Sequence, residues 1–172
     1  SGHHLGVRRC CTSAGRVRFS YAPPLEFIMY SRIKLVNTNY SNSIPFIKTT
    51  LIRSIDADIM QSIYRDYCLY KRFASVMPLF IEEYLYPQSD VIAYFDNEIM
   101  VGFTLMFKYN TNSVAAAQFA WNYHKPWMQL GIKSLEYLCW YYKEQGFAYL
   151  YLGGDEPYKR QLQGYEICPP ME

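Results

Sequence analysis

The sequence predicts an α+β fold with a mixed, mainly antiparallel central sheet flanked by helices. Residues 90–123 contain three β-type stretches separated by short polar turns, which is typical of an antiparallel meander. Apolar positions then recur at a helical period over 128–142, and an uninterrupted apolar stretch, FAYLYL at 147–152, follows the helix. Because a helix that joins two neighbouring strands forms a right-handed crossover, we expect the strands at 114–123 and 147–152 to be adjacent and parallel.

The elements before the meander are two short strands and two helices. Strands are predicted at 32–36 and 46–53, with a polar connector between them. Asp56 or Asp58 can cap a helix that presents Ile59 and Ile63 on its apolar face and runs to about residue 73. A second helix is expected from about residue 77 to 87, because Pro78 fits the first turn of a helix and Pro87 ends it.

The meander and the last helix carry the clearest turn signals. Strands are predicted at 90–95, 99–109 and 114–123, with the Asp96-Asn97 pair as a turn and Gly102 as the mark of a bulge. The last helix ends at Gly146, which can adopt the left-handed conformation that closes a helix. A glycine pair ends the strand at 147–152, and the remaining residues are expected to form a tail.

Composition bounds the class of protein. The chain has 172 residues and 51% hydrophobic content, which is enough for one well-packed domain at 29–172, and its net charge of +2 gives no strong electrostatic case for nucleic acid. The five cysteines show no metal-ligand spacing and fit reduced thiols, so no metal is expected and a cytoplasmic location is predicted. No apolar stretch is long enough to span a bilayer, and no signal peptide is evident, so no membrane partner is expected.

Residues 1–28 differ from the rest of the chain. The first four residues, SGHH, resemble the remnant of a purification tag, and Met29 could be the natural start. The arginine-containing stretch from residue 7 to 18 shows no clear period. We interpret 1–28 as a tag, a leader or a flexible arm; the alternative is a basic arm that contacts RNA.

The loop at the start of the last helix resembles the donor-binding loop of the GNAT superfamily of N-acetyltransferases. In that superfamily a strand, a glycine-containing loop, a helix and a second strand follow in this order, and the loop holds the pyrophosphate of acetyl-CoA. Here the loop reads Met128 to Lys133, with Met128 at the usual Arg or Gln position and Lys133 at the last Gly position. The first N–H groups of a helix have no internal partner, and Gly131 has no Cβ, so an anion could approach the backbone closely. The cofactor-binding residues expected from this loop are Gln129, Leu130, Gly131, Ile132 and Lys133.

A finer resemblance covers residues 59–166. The helix IYRDY…KRF resembles the "LYxxY…RH" helix of aminoacyl-tRNA–protein transferases, the arginyl and leucyl transferases, with Phe73 where the His would stand. DNEIMVG resembles their "DGxLVAV" hairpin, QLG their "SLG", and YLYLG at 149–153 their "YLYLG" strand. Tyr158-Lys159, with Glu166 eight residues after Tyr158, resembles "YKxxFxPxE", although Gly164 replaces the proline. The cysteine-containing N-terminal domain of that family has no counterpart here.

The resemblance implies transfer of an acyl or aminoacyl group from acyl-CoA or aminoacyl-tRNA to an amine acceptor, either a protein N-terminus or a small molecule. No tightly bound cofactor is implied, and charged tRNA is implied as a partner. Such a transfer needs a proton acceptor for the amine, donors for the oxyanion and an acid for the leaving group. The candidate catalytic residues are Tyr158, Glu166, Tyr123 and His124.

Each candidate also has a structural interpretation. Tyr158 and Tyr123 could simply pack, as most of the 18 tyrosines should, and His124 could be an exposed loop residue. Glu166 could form an ion pair with Lys159 or Arg160. The alternative for the whole chain is therefore a binding or interaction protein that has lost the donor site. An exposed loop at 127–133 with free N–H groups would favour transfer, whereas a cleft filled by Trp127 or Tyr123 would favour the alternative.

Overall fold

The computed structural model describes residues 30–73, 79 and 81–168, so the predicted arm at 1–28 and the predicted start of the second helix lie outside the described residues. The described chain forms a seven-stranded sheet in the order β2-β3-β4-β5-β6-β1-β7. The strands are β1 (Tyr30–Lys34), β2 (Lys48–Ile52), β3 (Ser89–Asp96), β4 (Ile99–Lys108), β5 (Ser113–Trp121), β6 (Tyr149–Gly154) and β7 (Tyr165–Cys168). Each neighbouring pair is antiparallel except β5 and β6, which are parallel, so the predicted mixed sheet and its parallel pair are confirmed.

Three helices accompany the sheet. Helix α1 (Ala57–Tyr70) begins at the predicted cap, where the Asp56 carboxylate accepts a hydrogen bond from the N–H of Ile59 at 3.1 Å. Helix α2 (Ile81–Tyr84) is the described part of the second helix, and α3 (Leu130–Glu144) follows β5. Gly146 has a φ of +85°, which confirms the left-handed glycine after α3.

The structure corrects several predicted boundaries. Helix α1 ends at Tyr70 rather than near residue 73, and Ile59 is 45% exposed because Met60, not Ile59, points into the core. The first strand lies two residues earlier than expected, and a 3-10 turn occupies 35–37. The expected tail contains a 3-10 helix (Pro157–Gln161) and β7, which pairs with β1. This pairing joins residues far apart in the sequence, so no local pattern reveals it.

The core lies on both faces of the sheet. On one face α3 packs through Leu138 and Tyr142 against residues such as Ile92 and Leu150. On the other face α1 packs through Met60 and Ile63, in a second cluster with Val91, Phe103 and Leu105. Cys68 on α1 and Cys139 on α3 are both free and buried, as reduced thiols in the core would be.

The first strand is held between β6 and β7 by one polar side chain. The Arg32 guanidinium lies 4.0 Å from the centre of the Tyr149 ring, donates to the hydroxyl of Tyr151 at 3.2 Å and donates to the Glu166 carboxylate at 2.5 Å. These contacts tie β1 to both of its neighbours. Within the described chain, no helix is long and apolar enough to cross a membrane.

Candidate donor cleft between β5 and β6

The two parallel strands separate after three residue pairs. Pairing runs from Ser113 with Tyr149 to Ala115 with Tyr151, although β5 continues to Trp121. The register between β4 and β5 shifts so that Ala117 is an extra residue on β5. Because a bulge bends the strand that carries it, β5 turns away from β6 at this point. Among the described residues no strand pairs with β5 beyond Ala117, so this edge of β5 is one side of the candidate cleft.

The start of α3 is organised by one residue in a left-handed conformation. A 3-10 turn (Pro126–Met128) precedes Gln129, which has φ 51° and ψ 39°. The carbonyl of Gln129 accepts the N–H groups of Ile132 and Lys133 at 3.0 and 3.1 Å. Among the described residues no acceptor faces the N–H groups of Leu130 and Gly131, so these two donors are free at the start of α3. The loop residues Trp127 and Gln129 are exposed.

The predicted lysine of this loop is engaged elsewhere. The ammonium of Lys133 lies 2.7 Å from the Glu136 carboxylate, one turn along the same helix. The pair offsets most of the positive charge that Lys133 would present to an anion. An anion at this end of α3 would therefore depend on the two free N–H groups and the helix dipole.

Two glycines set how closely the chain approaches this end of α3. A Cβ on Gly131 would meet only the Phe119 ring, at 3.9 Å, so the space above this residue is open. A Cβ on Gly102 would lie 2.8 Å from the Trp121 Cβ and 3.1 Å from a methyl of Leu130. Gly102 thus allows β4, the end of β5 and the first residue of α3 to pack together.

Tyrosines from three elements meet where β5 ends. Tyr123 follows β5, has φ 55°, stacks on Tyr70 of α1 at 3.6 Å between ring centres and lies 6.1 Å from the Tyr67 ring. Burial, with the neighbouring Tyr123 and Tyr158 phenols, raises the pKa of Tyr67 to about 12. Tyr158 is 52% exposed, and its partial burial, with Glu156 and Tyr123 nearby, also raises its pKa. Tyr123 thus packs against α1, and Tyr158 lies close enough to interact electrostatically with Tyr123 and Tyr67.

A polar network, which no pattern in the sequence predicted, surrounds the end of β6. Lys159 is 9% exposed, and its ammonium donates to the carbonyls of Leu152 and Gly154 at 2.8 and 2.9 Å. Burial lowers the pKa of Lys159. Asp155 accepts hydrogen bonds from Arg160 and Tyr165, which lower the pKa of its carboxyl to about 2. The signal in the sequence was a charged stretch directly after a glycine pair, which by itself is typical of any exposed turn.

Of the other two predicted catalytic residues, Glu166 lies apart from this group, whereas His124 directly follows Tyr123 on the segment before α3. Glu166 is on β7, at the outer edge of the sheet, where it pairs with Arg32 rather than with the predicted Lys159 or Arg160. His124 is exposed, and its N–H donates to the side chain of Asn122 at 3.0 Å. The structure therefore groups Tyr123, Tyr158 and the α3 loop, and places Glu166 two strands beyond β6.

Comparison with solved structures identifies the fold. The chain resembles a GCN5-related glucosamine N-acetyltransferase region of a fungal multi-domain β-N-acetylglucosaminidase, with a TM-score of 0.55 at 13% identity, over 83% of this chain and 20% of that one. It also resembles L-PGS from Bacillus licheniformis, with a TM-score of 0.54 at 10% identity, over 74% of this chain and 46% of that one. The C-terminal domain of a provisionally named lysylphosphatidylglycerol synthetase from Agrobacterium fabrum gives a TM-score of 0.54 at 8% identity, over the same two shares.

The likenesses with a TM-score above 0.5 show that the chain has the GNAT fold, so the predicted fold is confirmed. The chain spans about half the length of the two lysylphosphatidylglycerol synthetase-type structures, 46% of each. No protein-family model matches the sequence, and no curated protein matches it.

Proposed function

We propose that the chain transfers an acyl or aminoacyl group to an amine, with the donor bound in the cleft between β5 and β6. The observation that carries this proposal is the separation of the two parallel strands after Ala115, beside an α3 start with two free N–H groups. A separated pair leaves backbone donors and acceptors of β5 open to a ligand, and the helix start favours an anion. Trp127 and Gln129, on the loop before Leu130 and Gly131, are exposed, so the start of α3 lies beside solvent.

The proposed reaction forms one bond and breaks another at the donor carbonyl. The amine nitrogen attacks the carbonyl carbon, the C–S bond of acyl-CoA or the C–O bond of aminoacyl-tRNA breaks, and the amine loses a proton. We assign to Tyr158 the role of acid for the leaving group, because it lies near Tyr123 at the end of β5 and a phenol carries its proton at neutral pH. His124, exposed on the loop after β5, is the better candidate to accept the amine proton, since Glu166 is held by Arg32.

Both candidate donors place a phosphate at the start of α3. Acyl-CoA and the 3′ end of aminoacyl-tRNA each carry phosphate groups, so the N–H groups of Leu130 and Gly131 suit either one. The motif resemblance to arginyl and leucyl transferases favours charged tRNA, with a protein N-terminus as acceptor. The departures in the loop, Met128 and Lys133, favour a donor other than the usual acetyl-CoA. We carry both donors into the test, with a small-molecule amine as the second acceptor.

A non-catalytic binding protein is the second candidate, and one observation favours it. Lys133 is paired with Glu136 and Glu166 with Arg32, so two predicted site charges are already engaged. A binding protein of this kind would keep the cleft and lose the chemistry.

The first experiment measures donor binding by thermal shift, with acetyl-CoA and charged tRNA in separate arms. Gly131→Val should lose affinity for the donor, because a β-branched side chain fills the space above the free N–H groups. Gly131→Ala restricts the backbone as valine does but adds only a methyl group, whose carbon would lie 3.9 Å from the Phe119 ring. A loss of affinity in Gly131→Val alone is therefore caused by the larger side chain. Glu144→Val, on the exposed last residue of α3, is the matched control for a β-branched residue in this helix. If Gly131→Val binds both donors as the parent does, the loop has no donor role.

The second experiment separates the catalyst from the binding protein. Tyr158→Phe should lower kcat by about 10²-fold or more, the usual contribution of a positioned acid, and leave donor affinity unchanged. Glu166→Gln should leave kcat close to that of the parent, because its carboxylate serves the Arg32 ion pair. A parent protein that binds a donor and transfers nothing to any amine supports the binding protein instead.

A further inference from the structure

Two large aromatic side chains stand exposed beside the start of α3. Phe46 is 75% exposed and Trp127 is 63% exposed, and their ring centres are 5.7 Å apart with an angle of 75° between the planes. Two rings at this angle form a corner. A flat ligand can stack on one ring with its edge against the other, which is a favoured geometry for aromatic groups.

The turn that presents Phe46 is unusual for its sequence. The N–H of Ile47 donates to the carbonyl of Ile44 at 3.1 Å, Pro45 takes the second position of the turn, and Phe46 has a φ of +66° in the third. That position normally holds Gly or Asn, because a bulky side chain is strained there. Ile44 and Ile47 are both buried, so the turn is anchored on each side while the ring is directed outward.

The loop that presents Trp127 is fixed in the same way. Trp127 directly follows Pro126, and the next residue, Met128, is buried in the core. Each exposed ring therefore follows a proline and precedes a buried residue, so little backbone freedom remains to be lost when a ligand binds. Trp127 lies three residues before Leu130, and a chain of three residues spans at most about 10 Å.

We propose that the corner formed by Phe46 and Trp127 stacks on the adenine base of the donor, and this inference rests on the proposed function. Adenine is common to both candidate donors, as the base of CoA and as the 3′-terminal base of tRNA. The base stacks on one ring while its phosphate reaches the N–H groups of Leu130 and Gly131. Stacking is sequence-tolerant and needs only an exposed ring face, which both side chains provide.

The test compares donors with and without the nucleotide. Affinities of the parent, Trp127→Ala and Phe46→Ala are measured for acetyl-CoA, for charged tRNA and for acetyl-pantetheine, which lacks the nucleotide. Loss of one stacking ring should weaken the nucleotide-containing donor on the order of tenfold and leave acetyl-pantetheine unchanged. Trp127→Phe should keep most of the affinity. Tyr86→Ala is the matched control. Tyr86 is an exposed aromatic residue just before the first residue of β3, whereas the turn at Phe46 leads into β2 beside the last residues of β3.

The arms also identify the donor and distinguish the two proposals. If the alanine variants bind only acetyl-CoA, or only charged tRNA, about tenfold more weakly, the proposed adenine stacking is supported. The affected donor is then the source of the adenine. The proposed adenine stacking is refuted if an alanine variant loses equal affinity for acetyl-CoA and acetyl-pantetheine, or if neither alanine variant loses affinity for any donor. It is also refuted if the protein self-associates and Trp127→Ala abolishes that association without changing donor affinity. In those cases the parent still binds a donor and the proposed function stands; a parent that binds no donor overturns both.

Discussion

Gly102→Ala is the substitution for which the structure gives the most definite expectation. Gly102 lies on β4, paired with Tyr94 on one side and Trp121 on the other. An added Cβ would lie 2.8 Å from the Trp121 Cβ, 2.9 Å from the carbonyl oxygen of Ala120 and 3.1 Å from the Leu130 side chain. Since the carbonyl oxygen belongs to the backbone of the neighbouring strand, no rotation of a side chain can relieve the contact, and β5 must move.

The size of the effect follows from overpacking. Inserting a methyl group into a well-packed core destabilises a protein by roughly 1–3 kcal/mol. We expect Gly102→Ala to lower the free energy of unfolding by about 2 kcal/mol, which corresponds to a fall in Tm of about 4–8 °C for a chain of this size. Because the crowded atoms include Leu130, the start of α3 should shift as well, and donor affinity should fall with stability.

Urea denaturation measures the first effect, with two glycine-to-alanine controls in the same chain. A Cβ on Gly154 meets nothing within 4 Å, so Gly154→Ala should lie close to the parent. Gly131→Ala, in the first turn of α3, should be neutral or stabilising by up to about 1 kcal/mol, because alanine favours a helix over glycine. If Gly102→Ala unfolds within about 0.5 kcal/mol of Gly154→Ala, the close packing of β4 against β5 and α3 is refuted.

Three further expectations follow from buried and charged groups. Asp90→Asn should lower the free energy of unfolding, measured by urea denaturation, by about 2 kcal/mol. This is less than the ~3–5 kcal/mol expected when a fully buried ion pair is broken, because Asp90 is 1% exposed but its partner Lys108, at 2.8 Å, is about a third exposed. The pKa of Asp155, about 2, is below its unfolded value of about 3.9, so its contribution to stability is present above pH 4 and is lost as the pH falls through about 2. Asp155→Asn should therefore make the free energy of unfolding less dependent on pH over that range. If the variant keeps the pH dependence of the parent, the contact between Asp155 and Arg160 is contradicted. Burial raises the pKa of the Cys139 thiol to about 12, so mass spectrometry should find it unmodified by iodoacetamide at pH 8 until the protein is unfolded, and rapid labelling of the native protein would contradict its burial.

The sequence predicted the elements whose signals are local. The meander, the cap at Asp56 and the glycine after α3 each depend on residues within a few positions of one another, and all three are confirmed. The crossover rule extended this to the parallel pairing of β5 and β6, because the rule needs only the order of elements. The position of β1 between β6 and β7 was not predictable, because it depends on pairings across more than 100 residues.

The candidate site could be predicted only in part, for the same reason. The loop before α3 and Tyr158 have motif signals, and the structure places Tyr158 near Tyr123. Glu166 was chosen from a motif spacing alone, whereas its partner is set by the register of β7 against β1, which aligns Glu166 with Arg32. Lys159 stands in the same motif, but its burial could not be predicted, since it depends on where the chain turns after Gly154.

The cleft itself is a property of the backbone rather than of any motif. Ala117 is an extra residue on β5 relative to β4, and Leu152 is an extra residue on β6 relative to β1. At each bulge the strand bends but stays paired with its other neighbour, which is β4 for β5 and β1 for β6. The two members of the parallel pair therefore follow different partners, β5 following β4 and β6 following β1, and they separate where the bulges occur. Lys159 donates to the carbonyl of Leu152 at the second bulge, whereas no described strand pairs with β5 beyond Ala117. The edge of β5 is therefore the side of the candidate cleft where we propose that backbone contacts to the donor form.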